Sequence, residues 1–328
     1  MHGFATRASR PLKALLALLA VPALMQAAAA QTYPERPVRI VSVTSAGTGL
    51  DDYTRLLAKY LGQKLGQSFI VENKPGANMI LASDYVAKAA PDGYTLLLSG
   101  SGAMAANPFL FKRLPYDPQK DFVPVARMSA LPVAVVVAGS SPYRTLADLV
   151  AAARARPGSL NYGTSSTGYR TILAAVNDAA KIQAVSVPYK AMSTLLPDLM
   201  TGVVDYGAVE VSAVIPHVQT GKLRALAVAA PARVPQLKDV PTVAEAGVPN
   251  ASFNTWTGLF APAGTPPAIV DKLAQLTLEF VRSPEAAAHY AARGAVPYPA
   301  SGPELRKTIV EDQQNWKRMI ATAGIEPE

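Results

Sequence analysis

A chain of 328 residues in which half are apolar and only 16% charged can bury a large core, which excludes a disordered protein. Its net charge of +8 is scattered, with no run of five Lys or Arg, so the basic footprint of a nucleic-acid binder is missing. The absence of cysteine removes thiolate metal sites, iron–sulfur clusters and thiol nucleophiles, and it suits an oxidising compartment.

Arg7, Arg10 and Lys13 form a basic stretch, Ala14 to Met25 an apolar run too short for a bilayer, and Ala28-Ala29-Ala30 a small-residue cleavage pattern. Residues 1–30 therefore read as a secretory signal peptide cut before Gln31. Next, VRIVSVT (residues 38–44) reads as a buried strand. It leads through the loop SAGTGLDD into a helix on which Tyr53, Leu56, Leu57, Tyr60, Leu61 and Leu65 recur at helical spacing. SFIVE, YTLLL, VPVARM and PVAVVVA supply further strands, separated by a helical stretch around residues 83–90 and the turn Pro91-Asp92-Gly93. Parallel βαβ packing is the economical arrangement for them.

A second block begins with a helix over residues 145–156, stopped by Pro157-Gly158. It continues through LNYGT, a helix over 170–181, the strand AVSVP, a helix over 192–200, and the strands VVDYGAVE and RALAVAA. TWTGLFAP adds a last strand, and helices follow over 267–281 and 303–323. A chain this long is near the limit of a single core, so two lobes are expected. The predicted architecture is α/β, with residues 31–135 and 229–328 in the first lobe, 136–228 in the second, and a ligand cleft between them. Proline-marked crossings near Pro132 and from Pro231 to Pro241 are the candidate hinges.

Gly47-Thr48-Gly49-Leu50-Asp51-Asp52 stands between a strand and a helix, as a dinucleotide loop does, but Asp52 occupies the third glycine's place, where a pyrophosphate must approach. Backbone N–H groups in such a loop can instead hold a carboxylate. No GxSxG elbow occurs, and Ser99-Gly100-Ser101-Gly102 has no triad layout around it. His217 and His289 have no HxH or HxxxH partner, so hydrolase and metalloenzyme readings fail, and neither metal nor cofactor is expected. Three polar small-residue loops, at 45–49, 99–102 and 164–168, each follow an apolar strand, which is where open α/β sheets bind ligands. Arg170, in the first turn of a helix, opposes the helix dipole by roughly a few tenths of a kcal/mol unless an anion lies between them. Its guanidinium suits a bidentate carboxylate clamp; the alternative is an exposed arginine on a solvated turn.

In order along the chain, YPERPVRIV, AGTGLDDYTRLLAKYLGQKLGQSFIVENKPGA, VAKAAPDGYTLLL, NPFLFKRLPYDPQKDFVPVA, LNYGTSSTG, VPYKA, GKLRALAV, DVPTVAEAGVP and GLFAPAGTPPAIVDKL mark a resemblance. The chain resembles the extracytoplasmic solute receptors of tripartite tricarboxylate transporters, the TctC/Bug group. The resemblance implies a two-lobed Venus-flytrap fold with a hinge, a periplasmic location, no catalysis, and delivery of a carboxylate to membrane permease subunits by a monomer. It also implies site residues. The family's AGG loop, whose main chain and bridging waters hold one carboxylate, falls on Ala46-Gly47-Thr48, with its acidic residue on Asp51; the positions before it are Thr44 and Ser45. The family's glycine pair after ENKPGA is here Asn78-Met79. Its loop-to-helix glycine-threonine is Gly168-Tyr169, followed by Arg170, and Glu210 stands where aspartate is common.

Together the polar loops and the resemblance nominate Thr44, Ser45, Ala46, Gly47, Thr48, Asp51, Asn78, Ser99, Ser101, Ser165, Ser166, Thr167, Gly168, Tyr169, Arg170 and Glu210 as ligand-binding residues. The departures from the family surround the expected cleft, so Tyr169 and Arg170 are expected to favour an aromatic or larger dicarboxylate. Residues 45–48 would grip one carboxylate, residues 165–170 the far end, and closure would exclude water. An enzyme would have to draw on Asp51, Asp52 and Glu210. A sensor would present the bound acid to a membrane signalling partner instead of a permease.

Overall fold

The computed structural model describes residues 33–230, 232–249, 253, 255–292 and 294–327; the expected leader lies outside the described residues. Apolar runs become two mixed sheets. In the first, β1 (Val38–Ser42) is flanked by β2 (Phe69–Asn73) and β3 (Thr95–Gly100), both parallel to it. Beyond β3 come β10 (Thr255–Pro262), β4 (Phe122–Leu131) and β11 (Val296–Ser301), each antiparallel to its neighbour, so the order is β11-β4-β10-β3-β1-β2. The second sheet contains β5 (Val133–Ala138), β6 (Asn161–Thr164), β7 (Val185–Pro188), β8 (Tyr206–Glu210) and β9 (Leu223–Ala229), in the order β7-β6-β8-β5-β9. Here β6 runs parallel to β7 and β8, while β5 is antiparallel to β8 and β9.

The expected parallel packing holds for β1, β2 and β3 but not for β4 and β5, which run antiparallel to their neighbours. β10 re-enters the first sheet from the second and inserts between β3 and β4 against both of them. The chain changes sheet at Pro132 and returns after Ala229. The boundary expected at 135/136 lies inside β5, and the one at 228/229 at the last bond of β9.

Helix ends follow their caps. α1 (Gly49–Leu65) starts at Thr48, whose side chain accepts from the Asp51 amide, and stops at Gly66 in the left-handed region; Tyr53, Leu57 and Leu61 form its buried face. α2 (Ile80–Ala87) follows, then a five-residue π-helix at Gly102–Ala106 that leads into the short α3 (Asn107–Leu110). α4 (Leu146–Ala155) carries a Thr145/Asp148 capping box. α5 (Thr167–Ala179) starts at Ser166, whose hydroxyl accepts from the Tyr169 amide. α6 (Met192–Thr201), α7 (Val211–Gln219), α8 (Pro267–Val281) and α9 (Pro284–Ala292) precede the last helix, α10 (Gly302–Thr322).

α10 serves both sheets. Leu305 and Ile309 pack with Val41, Leu97, Phe122 and Trp256, whereas Trp316, Met319 and Ile320 pack with Val135, Leu173 and Tyr206. Residues from Arg36 onward form a single compact unit by their contacts. Among the described residues no helix is long and apolar enough to cross a membrane.

Candidate functional site

The polar strand-end loops of both sheets meet at one cavity of about 750 Å³. Of the nominated residues, Thr44, Thr48, Asn78, Ser101, Ser166, Thr167, Gly168, Tyr169 and Glu210 line it. Ser45, Ala46, Gly47, Asp51, Ser99, Ser165 and Arg170 do not. A more open depression of about 800 Å³ along Lys74, Leu81, Tyr85 and Lys88 contains none of the nominated residues.

Asp51 lies behind the β1–α1 loop. It is 2% exposed, and its Oδ2 accepts from the Gly47 amide at 2.9 Å and from Arg55 Nε at 2.9 Å. Asn73 Nδ2 donates to its Oδ1 at 2.8 Å and also to the Thr44 carbonyl at 3.0 Å. Burial pushes the Asp51 carboxyl up, but the hydrogen bonds from Arg55, Gly47 and Asn73 outweigh it and hold the group below its usual range. The carboxylate thus shapes a loop in which Gly47 adopts φ 79°, and the Gly47 amide expected to meet a ligand is committed to it. In front, Thr48 Oγ1 lies 3.0 Å from Thr44 Oγ1, which lies 3.2 Å from Ser42 Oγ, forming a chain of hydroxyls at the α1 N-terminus.

The segment after Pro75 is strained. Ala77, Asn78 and Met79 all have positive φ, 45°, 50° and 73°, and each such non-glycine residue costs roughly 1 kcal/mol or more. Surrounding bonds hold it in place: Met79 N donates to Gly76 O at 3.0 Å, Asn107 Nδ2 to the Asn78 carbonyl at 2.8 Å, and Ser83 Oγ to the Met79 carbonyl at 2.9 Å. Asn107 also reaches Tyr116, whose hydroxyl donates to the Ala103 carbonyl in the π-helix. Met79 then lines the cavity and crosses Gly102 so closely that a Cβ there would lie 2.9 Å from Met79 Cε. Met79→Gly is expected to leave stability within about 1 kcal/mol, because relief of the left-handed strain offsets the lost contacts. It should also shift binding toward bulkier ligands; denaturant melts and titration against ligands of graded size check both.

On the opposite wall, Tyr169 Oη donates to Glu210 Oε1 at 2.5 Å, and Ser212 Oγ donates to Glu210 Oε2 at 3.3 Å. Burial, then the Glu210 charge, raises the Tyr169 hydroxyl well above its usual range, so it remains a donor. Arg170 points elsewhere: it does not line the cavity, and its Nε is buried without a hydrogen-bond partner. The clamp expected of it has no geometric basis in this conformation, since the helix turn that aims Tyr169 inward carries the next residue to another face. Ser99 is fully buried, with its hydroxyl also unpartnered, while its strand neighbour Gly100 meets the cavity.

Several lining residues escaped the sequence reading. Both of the chain's tryptophans, Trp256 and Trp316, wall the cavity. Trp256 Nε1 donates to Asp312 at 2.6 Å, which fixes the indole. Burial raises the Asp312 carboxyl despite that bond. Tyr53 is held edge-on by Tyr290, with ring centroids 4.6 Å apart. Their signal lay in composition alone: large aromatics at strand and helix positions read equally well as core. Among the described lining residues Glu210 is the only one with a charged side chain, and the described residues contain no cluster of three His, Asp or Glu able to hold a metal. The cavity therefore offers hydroxyls and three helix N-termini, those of α1, α5 and α7, on aromatic and aliphatic walls.

The tripartite tricarboxylate transporter family receptor model, TctC, matches residues 53–325. The chain belongs to this family. Its TctC-family relatives include the protein BugT of Bordetella pertussis (strain Tohama I), 34% identical over 300 residues that cover 90% of this chain and 91% of BugT. Among solved structures, R. palustris Rpa4515 with adipate is 33% identical with a TM-score of 0.80, covering 90% of this chain and all 100% of the other. MatC from Rhodopseudomonas palustris with bound malate is 32% identical with a TM-score of 0.75, covering 88% and 100%. The family and its structural neighbours are periplasmic solute-binding proteins, not enzymes.

Proposed function

We propose that this TctC-family receptor captures a small organic carboxylate in the cavity between its sheets, in the periplasm, and hands it to the permease subunits of a tripartite tricarboxylate-type transporter. The observation that carries the reading is the cavity itself, which draws hydroxyls and helix N-termini from both sheets onto one ligand-sized space. N-terminal turns lined with hydroxyls stabilise an anion through hydrogen bonds and the helix dipole, without needing a basic side chain. Rpa4515 with adipate and MatC with malate support the carboxylate class. The two lobes proposed as residues 31–135 with 229–328, and 136–228, would turn about Pro132 and the return crossing, closing Ser166 and Thr167 toward Thr44 and Thr48. Closure then derives its free energy from contacts made only in the shut form.

Thermal-shift screening of the purified protein against mono- and dicarboxylates tests the proposal. A ligand at a hundred times its dissociation constant should add about 2.7 kcal/mol of stability. No rise in melting temperature with any carboxylate, checked by calorimetry, would overturn it.

A further inference from the structure

Glu210 sets a problem for a ligand with acids at both ends. It is the only charged side chain among the described lining residues, it stands at the cavity end of β8, and its oxygens already receive the Tyr169 and Ser212 hydroxyls at 2.5 and 3.3 Å. A carboxylate has about four acceptor positions and no donor, so two positions remain for whatever enters. Tyr169 is committed to Glu210 and has no second proton to offer a ligand. A ligand carboxylate brought up to Glu210 itself would meet a like charge at close range, which the N-terminal turns of α5 and α7 beside it offset only in part. A donor brought there would instead find a fixed, pre-oriented acceptor.

The walls on either side agree. Trp256, Trp316, Met79, Leu131 and Ile172 line the same cavity with aromatic and aliphatic surface, which favours an apolar or flat body.

We infer that Glu210 makes this cleft selective for a carboxylate whose far end carries a hydrogen-bond donor, an ammonium foremost, separated from the acid by an apolar spacer. The inference rests on the carboxylate reading above. It assigns Glu210 as the acceptor for the far end, with Tyr169 and Ser212 as the residues that position it. Tyr169 restrains the carboxylate from one side and Ser212 from the other, so the vacant acceptor positions are fixed before the ligand arrives.

Calorimetric titration of the purified protein with matched probes tests it. Hexanoate, adipate and 6-aminohexanoate share a chain length, and benzoate, terephthalate and 4-(aminomethyl)benzoate share a ring. The ammonium-bearing member of each set should bind at least about tenfold more tightly than the dicarboxylate, the worth of one charge-assisted hydrogen bond. Glu210→Gln should reduce that ratio to near one, because the amide accepts and donates without charge. Adipate and terephthalate binding as tightly as the amines to the unsubstituted protein, or a ratio unmoved in Glu210→Gln, would overturn the inference while leaving the carboxylate reading intact. No binding by any of the six would overturn the inference, and with no thermal shift across the mono- and dicarboxylates, the carboxylate reading as well. The ranking on the unsubstituted protein is decisive by itself should Glu210→Gln not fold.

Discussion

Asp51→Asn is expected to weaken ligand binding by about tenfold to a hundredfold and to lower stability by about 2 kcal/mol, although Asp51 does not line the cavity. The substituted amide keeps the shape but loses the charge that receives Arg55 Nε and the Gly47 amide, each at 2.9 Å. Hydrogen bonds to a charged group are worth roughly 1.5–3 kcal/mol, and leaving a buried N–H unsatisfied adds to the loss. Arg55 is half exposed, so water recovers part of its share, which keeps the estimate below that of a fully buried pair. The Gly47 turn then loosens, and with it the Thr44–Thr48 hydroxyls that the loop presents. Denaturant unfolding and calorimetry of the variant check the two effects. Unchanged affinity would show that the loop holds its form without the carboxylate. The pH dependence has a definite direction. The folded Asp51 carboxyl is held below its usual value, so its contribution is fully present above about pH 4, the ordinary aspartate range. It is lost as pH falls through the lower folded value. Binding should accordingly be flat in this respect from neutrality down to about pH 4.

Trp316→Ala should destabilise the protein by about 3–5 kcal/mol, the range for truncating a buried tryptophan. The residue is 6% exposed and packs with Ile172, Leu173 and Tyr206, so its removal leaves a void that those side chains cannot fill. Its ring also comes near the start of α5: a Cβ on Gly168 would lie 3.9 Å from Trp316 Cη2. Affinity should therefore fall together with stability, and Trp316→Phe should restore most of both. A loss under about 1 kcal/mol in denaturant melts would mean that α10 is not tied into the second sheet as described.

Most strands and helices were legible in the residues because their periods were clean. TWTGLFAP and the helix over 267–281 fall on β10 and α8 with matching bounds. α7 went unread because Pro216 and the branched Val211, Val214 and Ile215 speak against a helix locally; the proline is tolerated one turn before the end, where the Thr220 amide donates to its carbonyl. The π-helix at Gly102–Ala106 has no polar face to reveal it, since Ala103 to Ala106 are all buried. Strand direction was beyond reach, because it depends on how the long return after Ala229 crosses between the sheets. At the site, Gly and Ser marked the right loops, but which side of a loop an acid faces is a matter of tertiary partners. Asp51 in the first turn of a helix reads equally as a loop anchor or as a ligand contact, and Asn73, distant in sequence, decides for the anchor.

α10 is embedded at one end in the first sheet's packing and at the other in the second's. A stiff rod embedded in both packings braces the two sheets against each other through its middle turns. There Gln313 is 7% exposed, its Nε2 donating to the Met104 carbonyl at 2.9 Å and its Oε1 accepting from Gln119 Nε2 at 2.5 Å. A buried side-chain amide thus pins the middle of that brace to the π-helix bordering the cavity, and truncating it would slacken the brace without touching either apolar end.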